Sequence, residues 1–195
     1  MRKTRRQSII LVVGIVFAIV AAISILSQIR SSEMDNKPLT TLAEPSILIR
    51  KAARKLEIFD GKKLVKTYTM VLGFSTKGDK EIEGDGRTPE GEFYVFTKNP
   101  ESRFHLSLGL SYPSKDDAKR GLAAGLITKE EHAEIVKAID EGGMPPQKTK
   151  LGGEIYIHGG GTASDWTDGC VALKDEEISE IFAIIPVGTK VKILK

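Results

Sequence analysis

At 195 residues, with 41% apolar and 28% charged side chains, the chain has room for one ordinary globular domain and a short appendage. Its formal charge of +3 sits in the appendage: taking away the five basic residues up to Arg30, among which no acidic residue falls, leaves 24 basic against 26 acidic. A near-neutral remainder excludes nucleic acid as an electrostatic partner, and a single cysteine excludes an internal disulfide.

The appendage comes first. Residues 1–8 carry Arg2, Lys3, Arg5 and Arg6, and residues 9–27 form an uncharged apolar run long enough to cross a bilayer as a helix. Positive residues ahead of the run predict a signal anchor in the inner membrane, with residues 1–8 cytoplasmic and the domain on the periplasmic side. Ala21, Ala22 and Ser24 support the rival reading, a cleaved signal peptide and a secreted domain. No cysteine follows the run, which excludes lipoprotein processing. Residues 28–45, polar and containing Pro38 and Pro45, read as a linker, and residues 46–195 as the domain.

The domain opens with strands. Ile47 to Arg50 and Lys55 to Phe59 predict two of them, Asp60-Gly61 predicts a hairpin turn, and Leu64 to Leu72 predicts the returning strand. In Gly84-Asp85-Gly86-Arg87-Thr88-Pro89-Glu90-Gly91-Glu92-Phe93, Thr88-Pro89 sets an extended entry and Gly91 permits a turn into a strand at Phe93 to Phe96. Ser102 to Pro113 alternates like a strand with one wet face, which makes Ser111 and Tyr112 candidates for substrate contact. His105 lacks a glycine-rich setting and reads as a structural histidine.

From residue 116 to 143 the period turns helical. Thr128 and Glu131 form a capping box, Ile135, Val136 and Ile139 share a face, and Gly142 closes the end. This predicts a helical insertion packed on the domain; its functional alternative is a lid hinged at Gly121, Gly125 and Gly142-Gly143. Asp175, Glu176 and Glu177 start a helix that runs to Ile184, and Pro186-Val187-Gly188 turns into a last strand, Lys190 to Leu194. The fold class is mainly β with peripheral helices.

The chemistry concentrates in Ile155 to Leu173, IYIHGGGTASDWTDGCVAL. Ile155-Tyr156-Ile157 predicts a buried strand ending at His158, and Gly159-Gly160-Gly161 predicts a loop that approaches a ligand closely. Asp168-Gly169-Cys170 reads as a tight turn feeding Val171-Ala172-Leu173, so that the thiol and the imidazole face one cleft. A thiol nucleophile needs a base in reach and backbone N–H groups for the oxyanion; His158 supplies the first, Gly169 and Cys170 the second. The bland reading of the same residues is a small buried cysteine and a hydrogen-bonded histidine. Three scattered histidines and one cysteine show no ligand spacing, so no metal and no other cofactor is expected.

His158-Gly159 followed by Thr167-Asp168-Gly169-Cys170-Val171 resembles the active-site signature of the YkuD-type L,D-transpeptidases, and Thr88-Pro89-Glu90-Gly91-Glu92-Phe93 is similar to that family's second motif. Two positions depart from the commoner pattern: Asp168 stands where histidine is usual and Ala172 where arginine is usual. The resemblance implies a β-sandwich or barrel-like catalytic fold and a cysteine-dependent L,D-transpeptidase acting on peptidoglycan stem tetrapeptides through an acyl-thioester. It supports Cys170 as nucleophile and His158 as base and acid; the residues themselves make Gly169 an oxyanion donor and leave the Gly159 carbonyl to orient His158, since the sequence offers no obvious third carboxylate. Arg87, Trp166, Thr167 and Asp168 join Ser111 and Tyr112 as candidate substrate contacts, with Asp168 expected to point outward or to meet a substrate ammonium. A hydrolase of the same fold, carboxypeptidase or amidase, and a catalytically silent wall-binding module are the alternatives. A papain-like protease has its cysteine ahead of its histidine, the reverse of the order here.

Overall fold

The computed structural model describes residues 41–195, and the expected membrane anchor at 9–27 lies outside them. Eight strands form one sheet: β1 (Pro45–Arg50), β2 (Lys55–Asp60), β3 (Lys63–Thr69), β4 (Gly91–Ser102), β5 (His105–Leu110), β6 (Tyr156–His158), β7 (Val171–Ala172) and β8 (Lys190–Leu194). Three helices accompany them among the described residues, α1 (Lys115–Ala123), α2 (Lys129–Asp140) and α3 (Asp175–Ile184). No helix of the described residues is long and apolar enough to cross a membrane.

The spatial order is β3-β2-β1-β8-β4-β5-β6-β7. The Asp60-Gly61 turn closes the β2–β3 hairpin, with Gly61 at φ 57, and the Asp60 carboxylate accepts from the N–H groups of Ala43 and Glu44. The last strand is placed centrally: β8 runs parallel to β1 and antiparallel to β4. β4 turns the sheet. Its first residues, Gly91 to Tyr94, pair with β8, whereas Val95 to Ser102 pair with β5 through two register shifts. Such irregularities bend a strand and raise its twist. The curl brings the two edges together, because Val71, just past β3, exchanges both backbone hydrogen bonds with Ala172 of β7. The barrel-like expectation therefore takes the form of one curled sheet rather than two stacked ones.

Alternation explains the main core. Ile47, Ile49, Leu56, Ile58, Val95, Val191 and Ile193 project inward from the strands, and Ile178, Ile181 and Ile185 cover them from α3 and its end. The helical insertion carries a small core of its own, built from Ala118, Ile127, Ile135 and Leu151. The expected capping box at Thr128 and Glu131 is present, and a second one opens α1 at Ser114 and Asp117.

One expectation fails here. Ser102 to Pro113 is not a strand with a wet face: Arg103-Phe104 forms a turn, and from Ser107 to Pro113 every residue is buried. Tyr112 is fully buried and its hydroxyl donates to the Leu151 carbonyl at 2.9 Å, while the Ser111 hydroxyl accepts from Tyr94 N–H at 2.9 Å. The segment from Met144 to Gly153 and the insertion cover what the alternation alone marks as an exposed face. Both residues leave the set of substrate contacts.

Candidate active site

Parallel pairing of β6 with β7 builds the site. Ile157 faces Val171 and His158 faces Ala172 across the pair, so Cys170, one position earlier, lies beside Tyr156, whose N–H points to its sulfur at 3.4 Å. Tyr156 and His158 share a face of β6, since side chains alternate along a strand. The Cys170 sulfur lies against the β6 backbone, between the Tyr156 N–H and the Glu154 carbonyl, two residues of strand from His158, about 7 Å of rise.

His158 is buried and its proton is placed. Nδ1 lies 2.6 Å from the Gly159 carbonyl, and a carbonyl only accepts, so Nδ1 carries the hydrogen and Nε2 is left as the basic nitrogen. The ring stacks on Phe104, 4.6 Å between centroids and 22° between planes, and meets the edge of Trp166 at 5.6 Å. Arg103 lies 4.6 Å over the Phe104 ring. Burial holds the His158 pKa below its ordinary value, the Gly159 hydrogen bond opposes that, and Arg103 adds to it. The outcome at neutral pH is a neutral base.

Cys170 is half-buried. Its sulfur accepts from Tyr156 N–H and donates to the Glu154 carbonyl at 3.4 Å; among the described residues these are its hydrogen-bond partners. Burial is the largest influence and pushes the thiol up to about 11; the Tyr156 N–H and the Lys80 ammonium oppose the rise, and Asp168 and Glu154 add to it. Asp168 is exposed, turned outward as its charge beside a sulfur requires. At rest the pair is thus thiol and imidazole, not thiolate and imidazolium.

The turn before the sulfur is held from three sides. Thr167 is buried, and its hydroxyl donates to the Cys170 carbonyl at 2.7 Å and accepts from Gly169 N–H at 3.2 Å. Asp165 takes a two-pronged ion pair from Arg54 and the N–H of Leu72. Gly169 sits at φ +132 with the Arg87 carbonyl 2.7 Å from where a Cβ would stand, so only glycine fits. Among the described residues Cys170 N–H has no hydrogen-bond partner, while Gly169 N–H, the other expected oxyanion donor, is engaged by Thr167.

Residues 44–193 match the model of the YkuD L,D-transpeptidase catalytic domain. The chain belongs to that family. Among solved structures it is similar to the helical cell shape determining protein Pgp2 from Campylobacter jejuni, at 21% identity and a TM-score of 0.54, over 84% of this chain and 53% of that one. It is also similar to Bd1075 from Bdellovibrio bacteriovorus, at 20% identity and a TM-score of 0.52, over 78% of this chain and 48% of that one. The chain spans about half the length of these two proteins, and at such identity the likeness is one of fold. Comparison with curated proteins gave no match.

Within the YkuD domain the remaining expected contacts divide. Trp166 stands at the surface, 36% exposed, with its Nε1 on the Gly161 carbonyl at 3.2 Å and its ring against Gly160. Arg87 turns to its own loop, toward the Asp79 carbonyl and Glu81, and gives the cysteine turn its backbone rather than its charge. Thr167 faces inward and braces the turn. The Thr88-Pro89 motif of the YkuD pattern is structural here too: Thr88 accepts from Gly73 N–H through its hydroxyl and from the buried Lys51 ammonium through its carbonyl. Ala172 is fully buried. Phe104, Arg103 and Asp175 escape sequence reasoning, because nothing local links them to a histidine more than a dozen residues away.

Proposed function

We propose that the chain is a cysteine-dependent L,D-transpeptidase of the bacterial wall, with peptidoglycan stem tetrapeptides as acyl donors. The observation that supports it most is the proton placement on His158: with Nδ1–H committed to Gly159, Nε2 is left as the basic nitrogen, and the parallel pairing of β6 with β7 sets Cys170 two residues along from it. The Cys170 sulfur attacks the donor carbonyl as its proton passes to Nε2, and the carbonyl electron pair moves to an oxyanion facing Cys170 N–H, a donor worth about 3 kcal/mol. Collapse breaks the C–N bond, Nε2 returns the proton to the departing D-alanine amine, and an acyl-thioester remains. An acceptor amine then gives up its proton to Nε2 and attacks the thioester carbonyl, the C–S bond breaks, and Nε2 returns the proton to the leaving Cys170 sulfur, which completes a cross-link or attaches a protein to the wall.

Water in place of the amine makes the same site a carboxypeptidase or amidase, and the exposed carboxylate of Asp168 and the buried methyl of Ala172 favour that second reading, since neither is the residue usual in the transferring pattern. A part in cell shape belongs to the same proposal, as does display of the domain outside the inner membrane on residues 9–27. Intact mass after exposure to a carbapenem tests the chemistry. Wild type is expected to gain one adduct, Cys170→Ser none, and His158→Ala one formed far more slowly; a folded wild type without adduct leaves the silent wall-binding module. With a tetrapeptide donor, cross-linked products favour transfer and trimmed stems alone favour hydrolysis.

A further inference from the structure

Asp175 opens α3, and its carboxylate reaches back across the glycine loop: Oδ1 accepts from Gly160 N–H at 2.8 Å. The carbonyl that holds His158 Nδ1–H is that of Gly159. These two groups are the ends of one peptide unit. The imidazole, the Gly159–Gly160 peptide and the carboxylate therefore form a single line of hydrogen bonds, with the peptide donating at one end and accepting at the other. A carboxylate on the N–H polarises the amide and makes its carbonyl a stronger acceptor, because linked hydrogen bonds reinforce one another.

The loop is built to keep this line. A Cβ on Gly159 would stand 2.4 Å from Asp175 Oδ1 and 2.9 Å from the Phe104 carbonyl, so that position admits glycine alone. Gly159 N–H donates to that same Phe104 carbonyl at 3.0 Å, and the Phe104 ring carries the imidazole. The Asp175 backbone is fastened to the same turn: Ser179 Oγ gives its proton to the Asp175 carbonyl at 2.7 Å and accepts from His105 Nε2 at 2.7 Å. His105 holds φ 73, a conformation non-glycine residues seldom adopt and keep only where contacts enforce it.

We infer that Asp175 is the positioning residue for His158, acting through the Gly159–Gly160 peptide as the carboxylate of a triad acts directly. It touches neither substrate nor sulfur. The inference deepens the proposed acyl transfer and rests on it for its kinetic consequence, not for the state of the imidazole. Of the charged groups near His158, Arg103 on the β4–β5 turn bears on the ring, and Asp175 on α3 is hydrogen-bonded to the peptide that holds it.

The test compares wild type with Asp175→Asn, which keeps an oxygen acceptor but loses the charge, with Asp175→Ala, and with Glu176→Gln, which removes an equal charge from the same helix turn without meeting Gly160. Ring resonances of the three histidines are titrated by nitrogen-edited NMR, His158 being assigned by its loss in His158→Ala, and carbapenem acylation rates and melting are recorded beside them. In Asp175→Asn the His158 pKa is expected to fall by about 0.5 and acylation to slow roughly fivefold, the loss of one charge-assisted hydrogen bond. Asp175→Ala is expected to go further, and Glu176→Gln to match wild type. A His158 titration unchanged in a folded Asp175→Asn overturns the inference. If wild type itself takes no adduct, the acyl-transfer reading fails, and the titration still decides the role of Asp175.

Discussion

Cys170 shows how one residue's surroundings set its resting state. Free thiols ionise near pH 8.5, and burial beside the Asp168 and Glu154 carboxylates carries this one up to about 11. In the proposed reaction, deprotonation must therefore come from His158 during attack rather than from a standing thiolate. Alkylation of the free protein by iodoacetamide should accordingly climb through pH 9 to 11 without a plateau near neutrality; a rate already level between pH 6 and 8 would refute the neutral pair. The sign for stability follows from the same shift. The folded form keeps the proton longer than the unfolded one, so the thiol's contribution is intact below pH 9 and is lost as pH rises toward 11, a loss that Cys170→Ser lacks.

Elements are tied to the site by buried charge. Arg120 of α1 reaches three groups: Asp117 on its own helix at 2.8 Å, Asp79 at 3.0 Å and the Lys80 carbonyl at 2.6 Å. Asp117 is buried to 1% exposure, and burial holds its pKa above the ordinary value in spite of Ser114 and Arg120. Lys80, itself buried, pairs with Asp85 at 3.0 Å and bears on the thiol. The insertion is thus fastened to the loop that bears on the Cys170 thiol. Removing Arg120 strips a buried carboxylate of its counter-charge, and Arg120→Ala should cost about 1 to 3 kcal/mol in urea unfolding. Arg120→Lys should recover little of it, since one ammonium cannot reach three acceptors in a fork. Full stability in Arg120→Ala would show that the insertion stands on its small core alone.

At the scale of the whole molecule the last strand completes the sheet. β8 lies between β1 and β4, and Val191 and Ile193 are almost wholly buried there. Ending the chain before Lys190 removes the strand that joins β1 to β4. Such a truncation should lose cooperative melting and near-ultraviolet circular dichroism, and a cooperative transition in the shortened protein would contradict the topology. The curl adds a functional consequence. Because Val71 closes on Ala172 and Gly73 on Thr167, the sheet's meeting edges border the cysteine turn, and core packing at 70–73 bears on the site.

Local patterns carry most of what the amino-acid sequence determined: the first hairpin with its Asp60-Gly61 turn, the capping box at Thr128, the helix opened by three acidic residues, and the histidine and cysteine set beside glycines. Each depends on a few neighbouring residues and on backbone geometry that side-chain chemistry enforces within a turn or two. The Gly159 carbonyl as the partner of His158 was legible for the same reason, being one residue away. What covers a face is not local. Ser111 and Tyr112 read as wet and are buried, Tyr112 under the chain at Gln147 and Leu151 and Ser111 with its hydroxyl on the Tyr94 backbone. Gly169 N–H looked free and is taken by Thr167 once the turn tightens. Only the tertiary structure brought Phe104 against the imidazole and Asp175 under the glycine loop, since hydrogen bonds across strands and from a helix end depend on distances that chain separation does not encode.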